Sequence, residues 1–307
     1  MNDLKFQGVI PANILPFKAD LSIDEPGYRK HLRWLADAPG VTAITVNGHA
    51  AEVSSLTRGE RREALALAQD EVGDRLPLIA GVYSDGTQEA IALARDARAD
   101  GAEGILVFPP TLFMWGAQLK PDMVLRHFTA IAEAVEIPIV VFEYPPASGI
   151  GYSPETLARL AMIPSVVAVK DWSNDIVAFE QNLHALRATG RPIAMLSSFT
   201  MSLLATFILG ADGCISGMGS VAADLQAELF AAVRKGDLDG ARRVNDRLEP
   251  LVRVFYAPPF VDMHNRMKEA LALLGRIPAA HVRPPLTPVA GEERARIRRA
   301  LQASGLL

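Results

Sequence analysis

The chain has 307 residues, half of them hydrophobic and 21% charged, with a formal net charge of −4. That length fits one α/β barrel or two ordinary domains, and the apolar half is enough for a large core and excludes a disordered chain. The mild acidity gives no electrostatic reason to expect nucleic acid or an anionic membrane as partner. One cysteine, Cys214, leaves no internal disulfide and fits a reducing compartment. The N-terminus is polar, with Asp3 and Lys5, and lacks the pattern of a signal peptide. The longest apolar stretches are strand-sized, too short to span a bilayer, so a soluble cytoplasmic protein is expected.

Along the chain, short apolar runs alternate with longer segments of helical period. The runs lie at 8–17, 41–47, 76–82, 104–109, 137–144, 166–172, 192–198 and 213–218. They are near-continuous in aliphatic residues, the pattern of parallel strands buried on both faces. Between them, Thr57 with Glu60 forms a capping box that opens a helix through 61–71, Thr87 precedes a helix at 89–99, and Ser153-Pro154 places a cap before a first-turn proline. Gly73, Gly101, Gly190 and Gly210 fall where helices should stop. Strict alternation of eight strands with helices predicts an α/β fold, a closed (β/α)8 TIM barrel. After the eighth strand, helices are predicted at 224–235, 238–256 (interrupted by Pro250), 261–274 and 292–302. No linker separates them, so 1–223 is expected to form the barrel with the catalytic site, and 224–307 an appended C-terminal helical layer in the same structural unit.

Active sites of such barrels lie at the carboxyl ends of the strands. There the second run ends in Asn47-Gly48-His49-Ala50-Ala51-Glu52, the fifth in Glu143-Tyr144, the sixth in Lys170-Asp171, and the eighth carries Ile215-Ser216. Lys170 follows a buried apolar run, and a lysine is rarely buried without a use. Two uses fit: an ion pair with Asp171 or Glu143 that holds the barrel mouth, or a nucleophile whose pKa burial lowers from about 10.4. Tyr144 fits packing with a wet hydroxyl, or an acid–base role beside Lys170.

These elements together resemble the family that includes dihydrodipicolinate synthase and N-acetylneuraminate lyase, the Schiff-base class of pyruvate-dependent aldolases and dehydratases. Gly48-His49-Ala50-Ala51-Glu52 and Leu56-Thr57-x-x-Glu60 stand where the family has Gly-Thr-Thr-Gly-Glu and Leu-Thr-x-x-Glu. Gly81-Val82-Tyr83-Ser84, Gly101-Ala102-Glu103-Gly104 and Phe108-Pro109-Pro110 follow its third and fourth strands. Tyr144-Pro145-Pro146, Val169-Lys170-Asp171 and the stretch from Gly210 to Ser216 complete the pattern in order.

The resemblance implies a cofactor-independent lyase, an aldolase or a dehydratase, acting on pyruvate or a 2-keto-3-deoxy sugar acid. It gives Lys170 as the imine-forming nucleophile and Tyr144 as proton donor and acceptor. The loop at Gly48, His49 and Ala50 would take the substrate carboxylate on its backbone amides, and the Ile215 carbonyl would lie near the substrate. The implied partner is a small 2-oxo acid, and the implied assembly a homotetramer.

The departures are as informative. His49 and Ala50 replace the family's two threonines, removing its hydroxyl relay; His49 fits either a substitute proton shuttle or a space-filling role. Ala51 replaces a glycine. Gly149 stands where dihydrodipicolinate synthases carry a carboxylate-binding arginine, and Thr111 follows Pro110 in place of paired tyrosines. The loss of a guanidinium fork argues against a role in lysine biosynthesis. A catalytically impaired 2-oxo acid binding or regulatory protein is the alternative function, and a phosphate-binding barrel a remoter one. The six histidines lack metal-ligand spacing, and Asp262 and His264 are too isolated to mark a site. Phe113 and Trp115 are expected to pack, to contact another subunit or to line the substrate mouth.

Overall fold

The structure, a computed structural model, describes residues 6–307, so Asp3 and Lys5 lie outside the described residues. All eight apolar runs contain strands: β1 Gly8–Pro11, β2 Ile44–Val46, β3 Leu78–Val82, β4 Gly104–Val107, β5 Ile139–Glu143, β6 Val166–Asp171, β7 Ala194–Ser197 and β8 Gly213–Ser216. Every neighbouring pair is parallel, in the order β1-β8-β7-β6-β5-β4-β3-β2. Single parallel bridges, Val9 to Val41 and Ala12 to Thr45, close the barrel between β1 and β2. Helices α1 Glu25–Asp37, α2 Arg58–Val72, α3 Thr87–Ala99, α4 Pro121–Ala134, α5 Pro154–Leu160, α6 Ile176–Ala188, α7 Leu203–Leu209 and α8 Gly219–Arg234 follow the successive strands. The result is a TIM barrel.

The strands are shorter than the apolar runs because burial outlasts pairing: Ala12, Ile14, Leu15 and Phe17 stay buried beyond the last residue of β1. The capping box forms as predicted, with Thr57 Oγ1 accepting from Glu60 N and Glu60 Oε2 from Thr57 N. Thr57→Ala is expected to lower stability by about 1 kcal/mol, read as a shifted urea midpoint at unchanged slope. Thr87 is no cap: it is the first residue of α3, and its hydroxyl meets His127 Nδ1 at 2.9 Å. Gly101, Gly190 and Gly210 end helices with positive φ, whereas Gly73 does so in ordinary right-handed geometry.

The last helices are α9 Leu238–Phe255, α10 Met263–Leu273 and α11 Gly291–Ser304. Two differ from expectation. α8 starts five residues before the predicted 224, ahead of a kink at Ala222 (φ −134°, ψ 46°). Pro250 does not interrupt α9. A proline costs one backbone bond, but Val244, Leu248, Leu251 and Phe255 keep a continuous buried stripe on either side of it, and the carbonyl left unbonded belongs to the exposed Asp246. Beyond α10, Arg276 lays its guanidinium 3.5 Å from the ring centre of Trp34 on α1. No described helix is long and apolar enough to cross a membrane.

Candidate active site

The site begins with the sharp exit of the chain from β2. Asn47 (φ 57°) and Glu52 (φ 56°) are both left-handed, and a single 3-10 turn, His49–Ala51, lies between them. Asparagine tolerates this conformation better than most residues. A glycine on β3 makes the turn possible, since a Cβ on Gly81 would fall 2.0 Å from the Asn47 carbonyl oxygen. Asn47 Nδ2 holds the far side by donating to the Arg61 carbonyl at 2.9 Å. Glu52, fully inside, accepts from Lys268 Nζ on α10 and from the Arg283 amide at 2.9 Å.

Fixed at both ends, the turn presents His49 to a nest of rings. Its imidazole lies edge-on to Phe108 at 4.9 Å and Tyr83 at 5.7 Å, and Nε2 hydrogen-bonds the Tyr144 hydroxyl. Burial, and then the nearby charge of Lys170, push the His49 pKa down to about 3. Burial pushes the Tyr144 phenol well above its usual range. A neutral imidazole thus faces a protonated phenol; the phenol donates to Nε2 in one imidazole tautomer and accepts from it in the other.

Lys170 occupies the next position round the barrel. Successive residues on a strand point to opposite faces, so Lys170 and Asp171 cannot both face the mouth. Asp171 turns outward, where its carboxylate accepts from Ser173 N and Oγ at 2.9 and 2.7 Å and from Asn182 Nδ2 on α6 at 2.8 Å. Both oxygens of Glu143 accept from the Tyr152 amide, at 2.9 and 3.1 Å. The ion pair weighed for Lys170 is therefore absent: among the described residues its amine has neither a salt bridge nor a hydrogen bond. Lys170 Nζ lies 3.9 Å from the ring centre of Phe142, with 6% of the residue exposed. Burial lowers its pKa to about 7.

The amine opens into a small cleft at the barrel mouth. His49, Ala50 and Trp172 line it on the barrel side, and Ser198, Tyr256 and His264 line it elsewhere. Of the sequence candidates, His49, Ala50 and Lys170 line the cleft; Tyr144 is not among its lining residues and is joined to it through its hydrogen bond to His49. Gly48 and Ile215 do not line it. Ile215 is fully buried in the ladder opposite Ile10, and Gly217 takes the place on the wall. Phe113 packs inside against His127, whereas Trp115 is 83% exposed. Tyr256, Met263 and His264 escaped sequence analysis, which set His264 aside as isolated. The available signal was His264 and Lys268, two polar residues one helical turn apart flanking the buried Met267.

The dihydrodipicolinate synthetase family model matches residues 5–304. The chain belongs to that family. Among its relatives, a 4-hydroxy-tetrahydrodipicolinate synthase of Rhodopseudomonas palustris is 36% identical over 98% of both chains, and one of Acidiphilium cryptum is 35% identical over 98% of this chain and 99% of its own. Solved structures of the family superpose closely. A monomeric dihydrodipicolinate synthase variant has a TM-score of 0.91 at 27% identity, covering 98% of each chain. A prophage member from E. coli K12, in complex with pyruvate, scores 0.89 at 29% identity, covering 98% of this chain and 99% of its own. Gly149 has φ 78°, and a Cβ on it would sit 3.1 Å from the Met114 carbonyl oxygen, so a larger residue would be strained there.

Proposed function

We propose that this family member is a Schiff-base-forming lyase, an aldolase or a dehydratase, in which Lys170 condenses with pyruvate or a 2-keto-3-deoxy sugar acid. The observation that carries the proposal is an unpaired, buried amine with its pKa lowered to about 7, sharing a site with the His49–Tyr144 hydrogen bond. About half of such an amine is neutral at pH 7, where an ordinary lysine is almost wholly protonated.

The neutral amine attacks the ketone carbon. As the C–N bond forms, the carbonyl oxygen takes up a proton and the nitrogen gives one up, leaving a carbinolamine. A second proton lets that oxygen depart as water, leaving a cationic imine. Tyr144 supplies and recovers these protons. His49 substitutes for the missing hydroxyl relay by accepting a proton on one ring nitrogen as it releases one from the other, which requires no standing charge. The imine then draws electrons from C3. Loss of a C3 proton gives an enamine, which adds to an aldehyde or expels a hydroxyl group that leaves with a proton as water. Retro-aldol cleavage runs the addition backwards. The backbone amides at His49 and Ala50 receive the substrate carboxylate, since fixed amide dipoles suit an anion. The assignment against lysine biosynthesis is also part of the proposal, supported by the closed backbone at Gly149.

Reductive trapping tests it. Incubation with pyruvate and borohydride should add one reduced pyruvyl group to Lys170, located by peptide mass spectrometry, and none to Lys170→Ala. The rate of trapping should fall about tenfold per pH unit below 7 and level off above it, because the attacking form is the free amine. No adduct with pyruvate or with longer 2-oxo acids would remove the catalytic assignment in favour of a binding or regulatory role.

A further inference from the structure

His264 enters the cleft from outside the barrel. It is the second residue of α10, and the same helix is fixed one turn later by the buried pair of Lys268 with Glu52. Residues four apart on a helix share a face, so the contact that anchors α10 to the loop bearing His49 also aims His264 at the barrel mouth. A glycine makes room for the ring: a Cβ on Gly217 would meet His264 Nε2 at 3.1 Å and Cδ2 at 3.2 Å, although the Gly217 backbone itself has no positive φ. Burial, with the charges of Lys170 and Lys268 nearby, keeps the imidazole neutral, its pKa pushed down to about 3. A neutral imidazole offers one donor and one acceptor. Among the described residues neither ring nitrogen of His264 has a hydrogen-bond partner, and the Ser198 hydroxyl on the same cleft has none either. Lys170 is the only lysine or arginine among the residues lining the cleft. Once it has become an imine facing the first carboxylate, no cation remains for a second, and an unpaired buried carboxylate is costly.

We infer that His264, together with Ser198, hydrogen-bonds a hydroxyl on the substrate chain beyond C2, so that the preferred substrate is a hydroxylated 2-oxo acid with an uncharged tail. This rests on the Schiff-base function proposed for Lys170.

The test compares three six-carbon acids differing only in the tail: 2-keto-3-deoxygluconate, 2-oxohexanoate and 2-oxoadipate. For each, the half-saturating concentration for borohydride trapping at Lys170 is measured. The wild-type protein should prefer the hydroxylated acid. His264→Leu should lower that preference over 2-oxohexanoate roughly tenfold, the effect of one lost hydrogen bond. His264→Gln, which keeps a donor and an acceptor, should restore most of it. A wild-type preference for 2-oxohexanoate or 2-oxoadipate, an unchanged preference in His264→Leu, or an equal loss on all three acids overturns the inference and leaves the imine chemistry standing. Absence of any adduct in the wild-type protein overturns both.

Discussion

Lys170→Met should be inactive and yet more stable than the wild-type protein. Removing the nucleophile is expected to cost roughly 10⁴-fold or more in turnover. The gain in stability follows from the depressed pKa. In the folded protein the amine titrates at about 7, against about 10.4 in an unfolded chain. Between those values the unfolded chain holds a proton that the folded one does not. Wild-type stability therefore rises with pH across that window, and below it the folded state carries the full cost of a buried ammonium. A methionine of similar length carries no such cost. The stability difference should be about 4 kcal/mol at pH 7, largest in acid and nearly gone near pH 10. Urea titrations of both proteins at pH 6, 8 and 10 check this; a difference that does not shrink with pH would contradict the lowered pKa.

Lys268→Met should be strongly destabilising. Its amine and the Glu52 carboxylate are 1% and 2% exposed, so the substitution strands a buried charge, at a cost of about 3–5 kcal/mol. Pairing it with Glu52→Leu removes both charges and should recover most of the loss. The single variant should also trap pyruvate poorly, because Glu52 terminates the turn that carries His49 and Ala50. Urea midpoints for the two single variants and the double variant give the coupling directly.

The barrel was readable in the sequence because parallel strands buried on both faces leave continuous apolar runs such as 137–144, and because few physical situations place a lysine after Val166-Val167-Ala168-Val169. Strand ends were not readable, since residues such as Ile14 and Leu15 are as buried outside the ladder as those within it. Pro250 misled for a related reason: local propensity predicts a break, and tertiary packing of the α9 stripe overrides it. On the barrel side of the site, the strand ends bring His49, Tyr144 and Lys170 to notice, but only the family resemblance separates their chemical roles from packing or ion pairing. The opposite wall was not readable. Nothing local to 256–264 records that α10 docks over the mouth, and the ion pair that brings it there joins residues 216 positions apart.

The aromatic lining of the cleft also gives the protein a built-in optical probe. Of its three tryptophans, Trp115 stands in solvent and Trp34 lies under a guanidinium, while Trp172 borders the cleft 5.5 Å from the ring of Tyr144. Iodide should quench Trp115 more than the half-buried Trp34 and Trp172, so the emission that survives the quencher comes largely from those two indoles. Occupation of the cleft alters the surroundings of only one of these. Ligand binding at Lys170 can then be followed in real time without a label, a coupled enzyme or turnover.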